Sequence, residues 1–193
     1  MSIVNKKYGH VFVHVPKTGG TSMERTWFVG GNDHEKIERM DSPSDCFRWG
    51  FVRNPFDRLV SVHSAIWQHP NKLLRKFVPK DFDEFVQALP DLREFVHITP
   101  QVKFLCIKGK IAVDFVGRYE DLYRDWAFVC WNIGRYATIP HINKTEHKPW
   151  GEYYTSPQTV DAAIEYYKDD FKVFGYRSEI YACNSDLSDI SSP

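Results

Sequence analysis

The amino-acid sequence predicts an α/β fold of three layers, with a central parallel sheet flanked by helices. Three short apolar runs have the composition of strands that are buried on both faces of a sheet. They lie near residues 10–15, 47–52 and 112–117. Segments with helical periodicity alternate with them, near residues 20–28, 55–68, 82–89 and 121–135. Strands that alternate with helices in this way are typical of a parallel sheet covered on both faces.

The first strand leads into a loop and the start of a helix. Residues 14–22 read His-Val-Pro-Lys-Thr-Gly-Gly-Thr-Ser, and we call this segment the phosphate loop. Gly19 and Gly20 let the backbone approach a ligand closely, the helix start offers N–H groups to an anion, and Lys17 adds a full charge. The loop predicts a site for phosphate or a group of similar shape. It is not a Walker A sequence, because its lysine precedes the glycines.

The second strand ends at Arg53, and Asn54 and Pro55 follow. Proline suits the first turn of a helix, where a missing N–H costs nothing. Arg53 at the strand end and Ser61, about two helical turns further on, can converge on one face. A guanidinium fork and a hydroxyl are suited to a phosphate monoester.

The rest of the chain adds smaller elements. Residues 104–107 and 110–113, joined by Lys-Gly, predict a hairpin before the third strand. Ser156 is a good N-cap and Pro157 a good first helical residue for a last helix. Residues 184–193 are polar and rich in Ser and Asp, which predicts a disordered tail. Residues 1–183 are therefore expected to form a single domain, as the chain length of 193 residues favours.

Composition limits the classes of partner. The chain has 25 Lys and Arg against 25 Asp and Glu, so no global field attracts nucleic acid. No apolar run approaches the roughly 20 residues of a membrane span, and there is no signal-peptide pattern, so we expect a cytoplasmic protein. The four Cys show no metal-ligand spacing and are expected to be reduced. A bridge between Cys106 and Cys130 stays open at this point.

Five segments resemble sulfotransferases that use 3′-phosphoadenosine 5′-phosphosulfate (PAPS), in the carbohydrate sulfotransferase branch of that family. The phosphate loop resembles their 5′-phosphosulfate loop, and residues 52–61, Val-Arg-Asn-Pro-Phe-Asp-Arg-Leu-Val-Ser, resemble their 3′-phosphate motif. Residues 113–122, 143–154 and 170–176 resemble a later strand, a loop that covers the nucleotide, and the closing helix. The resemblance implies a P-loop-containing three-layer fold with a central parallel sheet flanked by helices.

The resemblance also implies a reaction, in which a sulfuryl group passes in line from PAPS to an acceptor hydroxyl and leaves PAP. The branch resemblance favours a carbohydrate as the acceptor. No metal is required, because the leaving group carries less charge than a nucleotide triphosphate. Lys17 would stabilise the leaving oxygen, and the 3′-phosphate would meet Arg53 and Ser61. Tyr119 would reach the adenine, and Lys148 would be a second cation for a phosphate. The 5′-phosphate would be held by Thr18, Gly19, Gly20, Thr21 and Ser22.

In the resembled branch, a His or Glu between the two phosphate motifs serves as general base. His34 is the only histidine between residues 23 and 49, and the usual imidazole pKa of about 6.5 suits base catalysis close to neutrality. Glu35, Asp33 and Glu24 are the alternatives. Relatives that modify glycans often carry a membrane anchor and work in the Golgi, and this chain is expected to lack one.

Two other classes of function stay open. A small P-loop kinase would need Gly-Lys-Ser/Thr and an Asp at a strand end for Mg²⁺, and neither is present in that form. A non-catalytic glycan-binding module would keep the fold without turnover, but the intact loop, Arg53, Ser61 and a candidate base argue against it. The acceptor could also be a hydroxyl of another class, and residues 70–100 are the expected place for acceptor-specific structure.

Overall fold

The computed structural model describes residues 3–27, 34–70, 72–140 and 147–179, so the predicted tail at 184–193 lies outside the described residues. The strands are β1 Ile3–Asn5, β2 His10–Val13, β3 Phe47–Val52, β4 Cys106–Ile107, β5 Lys110–Ile111 and β6 Phe115–Arg118. The helices are α1 Gly20–Trp27, α2 Pro55–Gln68, α3 Phe82–Gln87, α4 Val102–Leu105, α5 Leu122–Ile133, α6 Pro157–Tyr166 and α7 Lys168–Phe174. Short 3₁₀ turns connect several of them, among which Val96–Ile98 and Tyr119–Asp121 concern the site.

The main sheet has the strand order β1-β2-β3-β6. Two pairings confirm the predicted parallel arrangement, since β2 is parallel to β3 and β3 is parallel to β6. The edge strand β1 is antiparallel to β2, with Ile3 opposite Phe12, and makes the sheet mixed. Its direction follows from the short turn between Asn5 and His10, because only antiparallel strands can be joined by so few residues.

Helices cover both faces of this sheet, as predicted. Side chains alternate between the two faces along each strand. On one face, Phe12 and Trp49 pack with Met23 of α1 and Trp126 of α5. The opposite face has its own cluster, with Val11, Val13 and Val52 from the strands, Phe104 and Leu105 from α4, and Phe174 from α7. The α/β prediction is confirmed, and the extent of the domain, residues 1–183, stays a prediction.

Local signals in the sequence placed the helix starts well. The Asn54 side chain accepts a hydrogen bond from the N–H of Phe56 at 2.9 Å, with Pro55 as the first residue of α2. In α6, the Ser156 hydroxyl accepts from the N–H of Thr159 at 3.2 Å. The predicted hairpin is present as β4 and β5, shortened to two residues per strand.

The parallel strands direct their carboxyl ends to the same edge of the sheet, where open α/β sheets bind ligands. There β2 runs into the phosphate loop, β3 ends one residue before Arg53, and β6 ends one residue before Tyr119. The fold thus brings three separate segments to one place.

Candidate active site

The phosphate loop has the strand–loop–helix shape that the sequence predicts. Its backbone enters the left-handed region at Lys17, with a φ of 69°, and again at Gly19, with a φ of 85°. The buried Thr18 hydroxyl donates to the carbonyl oxygen of Val15 at 2.9 Å and braces the loop. Helix α1 begins at Gly20. The loop therefore offers main-chain donors and the positive end of a helix at the sheet edge.

Lys17 and Arg53 lie side by side in this edge. The Arg53 guanidinium donates from Nη1 to the Lys17 carbonyl oxygen at 3.3 Å. Burial, and then the charge of Arg53, lower the pKa of Lys17 to about 8. A lowered lysine pKa means that the environment disfavours its positive charge, and a bound anion would offset that cost. Lys17 and the adjacent Arg53 cation together fit a phosphate or phosphosulfate group.

Arg53 is held on several sides. It is 6% exposed, its Nε donates to Asp57 Oδ2 at 2.7 Å, and its guanidinium carbon lies 4.2 Å from the centroid of the Tyr119 ring. Tyr119 also borders the phosphate loop, because a Cβ placed on Gly19 would lie 3.4 Å from Tyr119 Cδ2. The structure thus brings Lys17, Arg53 and Tyr119 together.

The remaining predicted hydroxyls lie in helices α1 and α2. Ser22 is buried in the first turn of α1, where its N–H donates to the Gly19 carbonyl oxygen at 3.0 Å, and Thr21 is half-buried beside it. Ser61 is buried in α2. Their contacts with a ligand stay predictions.

His34 is oriented by the main chain of the first strand. Its Nδ1 lies 3.1 Å from the carbonyl oxygen of His14. A carbonyl oxygen only accepts, so Nδ1 carries the hydrogen and Nε2 of the neutral ring keeps its lone pair. That tautomer can accept a proton at Nε2. Among the predicted alternatives, Glu35 is partly exposed and lies 4.0 Å from Arg39, and Asp33 falls outside the described residues.

His14 supports both His34 and the loop. Its Nδ1 lies 2.6 Å from Glu24 Oε1, and its ring centroid lies 4.5 Å from that of His34. Burial lowers the pKa of His14 to about 4, so the neutral ring donates to the Glu24 carboxylate. A Cβ on Gly20 would overlap the His14 ring, which is why glycine is needed there. Glu24, an alternative base from the sequence, is engaged with His14.

A third histidine, His97, lies near His34. The sequence analysis does not predict it, because residues 96–98 match no motif. Its ring centroid lies 5.7 Å from that of His34. Burial first, and then the charges of His34, Lys17 and Arg58, lower the pKa of His97 to about 4, which keeps it neutral near pH 7. Within the described part of the chain, its Nδ1 is buried without a hydrogen-bond partner. Only the fold joins His97 to the site, so no sequence spacing could have found it.

Lys148 lies at the surface, where its Nζ is 3.5 Å from Glu152 Oε2 and the side chain is 75% exposed. Its contact with a phosphate stays a prediction. Cys46, Cys106 and Cys130 are free thiols, so the bridge between Cys106 and Cys130 that the sequence left open is not formed. Residues 3–27, 34–70, 72–140 and 147–179 contain no group of three or more His, Cys, Asp or Glu side chains that could hold a metal ion. Within those ranges, no helix is long and apolar enough to cross a membrane.

Comparison with known proteins agrees with these motifs. Carbohydrate sulfotransferase 10 from Homo sapiens is 24% identical over 242 aligned positions, which cover 92% of this chain and 67% of the relative. The protein of the same name from Xenopus laevis is 25% identical over 241 positions, covering 92% of this chain and 68% of its own. No solved structure matches the chain significantly. The model of the sulfotransferase family matches residues 1–177, and the chain therefore belongs to that family, in the branch of the carbohydrate sulfotransferases.

Proposed function

We propose that the protein transfers a sulfuryl group from PAPS to a hydroxyl of a carbohydrate. The observation that carries the proposal is the pair of Lys17 and Arg53 at the carboxyl edge of the sheet, joined by the 3.3 Å hydrogen bond to the Lys17 carbonyl. The family and the name of the relatives support the reaction class and the carbohydrate acceptor.

The residues of the site fit PAPS. PAPS carries its 5′-phosphosulfate and its 3′-phosphate on one ribose, so the two groups need cations that lie near each other. Lys17 and Arg53, which follow the neighbouring strands β2 and β3, meet this need. The loop amides at Gly19, Gly20 and Thr21 would hold the 5′-phosphate, with the hydroxyls of Thr21 and Ser22. The Thr18 hydroxyl already donates to Val15, so we assign Thr18 a contact through its main-chain N–H.

The 3′-phosphate and the adenine of PAPS would contact residues that follow strands β3 and β6. Arg53 offers a guanidinium fork to the 3′-phosphate, with Ser61 adding a hydroxyl. Tyr119, half-buried beside Arg53, would reach the adenine by stacking or hydrogen bonding. We retain Lys148 as an additional cation for a phosphate.

When bound, PAPS supplies an activated sulfuryl group whose leaving group is a phosphate oxygen. Lys17 carries a positive charge below its pKa of about 8, and it would stabilise the negative charge that develops on that oxygen. The chain offers charge neutralisation through side chains and amides, and no metal is part of the proposal.

His34 would be the general base. With Nδ1 donating to the His14 carbonyl oxygen at 3.1 Å, its Nε2 can take the proton from the acceptor hydroxyl. The Glu24–His14 contact at 2.6 Å keeps His14 in place, and His14 in turn holds His34. Glu35 and Asp33 are the substitutes if His34 is not the base.

Incubation of the purified chain with radiolabelled PAPS and a panel of glycans tests the proposal. We expect labelled glycan and PAP as products, and tight binding of PAP without added metal. A kinase would instead bind Mg-ATP and transfer phosphate. A non-catalytic glycan-binding module would bind a glycan and transfer no label even in a single turnover, and either outcome would refute the proposal.

A further inference from the structure

Gln101 holds the main chain of Arg53 with both ends of its amide. Its Oε1 accepts from the N–H of Arg53 at 2.9 Å, and its Nε2 donates to the carbonyl oxygen of Arg53 at 2.9 Å. Gln101 is 0% exposed and Arg53 is 6% exposed. The side chain therefore acts toward Arg53 as a neighbouring strand would.

Arg53 needs such a partner because the sheet ends before it. Strand β3 ends at Val52, whose register partner in β6 is Arg118. A buried main-chain N–H or carbonyl without a partner is strongly disfavoured. By satisfying both groups, Gln101 extends the ordered part of β3 by one residue.

Gln101 is itself anchored from the far end of the chain. Its N–H donates to Asp170 Oδ2 at 2.8 Å, and the N–H of Val102 donates to Asp170 Oδ1 at 2.9 Å. Asp170 lies in α7 and is 0% exposed. The carboxylate fixes the start of α4, and with it the direction of the Gln101 side chain.

The Arg53 guanidinium depends on where its main chain lies. It must reach Asp57 at 2.7 Å, the Lys17 carbonyl oxygen at 3.3 Å and the Tyr119 ring at 4.2 Å together. These contacts come from three different segments, and a small shift of the Arg53 backbone would break at least one of them. Two parallel hydrogen bonds from a guanidinium to a phosphate require a defined geometry, so they are sensitive to such shifts.

From these contacts we propose that Gln101 is a positioning residue for the 3′-phosphate of the nucleotide. It acts through Arg53, which it holds by the main chain, and it makes the site select nucleotides that carry a 3′-phosphate. This inference rests on the proposed function, in which Arg53 binds that phosphate. No recognised sequence motif contains Gln101.

The test compares PAP with adenosine 5′-phosphate, which lacks the 3′-phosphate, by calorimetric titration of the full chain. Gln101→Met keeps the length of the side chain and removes both hydrogen bonds. We expect the Kd for PAP to rise about tenfold or more, as for loss of a charge-assisted contact, while the Kd for adenosine 5′-phosphate changes less than about twofold. The matched control is Gln87→Met, because Gln87 is exposed in α3 and donates to the Gln158 carbonyl oxygen at 3.3 Å.

A second variant keeps the test decisive if Gln101→Met does not fold. Gln101→Glu keeps an acceptor for the Arg53 N–H, and its carboxyl regains a donor when it is protonated. Burial raises a carboxyl pKa, so the preference of this variant for PAP over adenosine 5′-phosphate should return toward the native value as the pH falls from about 8 to about 5.

The outcomes separate the inference from the proposed function. A native protein that does not prefer PAP over adenosine 5′-phosphate refutes the function of Arg53 itself. A native preference that persists unchanged in folded Gln101→Met, or a preference of Gln101→Glu that does not vary with pH relative to native protein, overturns the role of Gln101 alone.

Discussion

The guanidinium of Arg53 lies over the ring of Tyr119, with 4.2 Å between the guanidinium carbon and the ring centroid. The same guanidinium donates a hydrogen bond from Nε to Asp57 Oδ2 at 2.7 Å. A cation held over an aromatic face and against a carboxylate has little freedom left to lose when a ligand binds. Arg53 is thus oriented before any nucleotide arrives.

Arg53→Ala should weaken PAP and PAPS far more than adenosine 5′-phosphosulfate, which lacks the 3′-phosphate. Loss of a hydrogen bond to a charged group costs about 1.5–3 kcal/mol, or roughly 10- to 150-fold in Kd. Calorimetric titration of the three ligands measures the difference. Arg93→Ala is the matched control, because Arg93 is 78% exposed and pairs only with its neighbour Glu94 among the contacts described. Equal weakening of all three ligands would show that Arg53 does not bind the 3′-phosphate.

The affinity for PAP should fall as the pH rises above about 8. Below its pKa of about 8, Lys17 is charged and attracts the phosphate, and above it the charge is lost. A bound anion raises the pKa of Lys17, so the Kd should begin to rise near pH 8 and continue to rise until the pKa of the complex is reached. Titrations from about pH 7 to about pH 10 measure this. Lys17→Arg, which stays charged, should lack the rise, and a native Kd that is independent of pH would count against Lys17 as a phosphate ligand.

His34→Ala should leave PAP affinity nearly unchanged and lower turnover by about 10²- to 10⁴-fold, the usual contribution of a positioned general base. Lys17→Ala should differ, with weaker PAPS binding as well as slower turnover, because its ammonium contacts the bound ground state too. Steady-state rates and titrations with PAP separate the two patterns. His69→Ala, at an exposed position after α2, is the control. Near-native turnover of His34→Ala would move Glu35 or Asp33 to the role of base.

Gly20→Ala should destabilise the protein and weaken PAP binding. The added methyl group would overlap the His14 ring, and that ring cannot move away without losing its 2.6 Å contact with Glu24. Overpacking of this kind costs about 1–3 kcal/mol, which thermal unfolding can measure. At Gly151 an added Cβ would have no atom within 4 Å, so Gly151→Ala should unfold near the native temperature. Similar melting of both variants would contradict the tight packing of His14 on the loop.

Local signals explain why much of the fold could be predicted. The start of α2 follows from Asn54 and Pro55, because N-terminal capping depends on residues that are adjacent in the sequence. The start of α6 follows from Ser156 for the same reason. The strand β1 was missed, because three residues next to a turn carry little periodicity. Its pairing with β2 is decided by the partner strand and by the turn.

The residues of the site also differ in whether their neighbours in the sequence reveal them. Lys17 and Arg53 belong to continuous motifs, and each could be recognised from its neighbours in the chain. His97 and Gln101 lack such neighbours, since their partners are 63 and 48 residues away in sequence, at His34 and Arg53. Their importance comes from packing between distant elements, which one sequence does not reveal.

The left-handed backbone at Lys17 implies that this site is maintained at a cost to stability. A residue other than glycine is strained at a φ of 69°. The Lys17 ammonium is also partly removed from water. Lys17→Gly would relieve both penalties, so we expect a higher melting temperature together with loss of transfer activity. Stability alone would therefore favour glycine at this position, and the energetic cost of Lys17 is offset only when an anion occupies the phosphate loop.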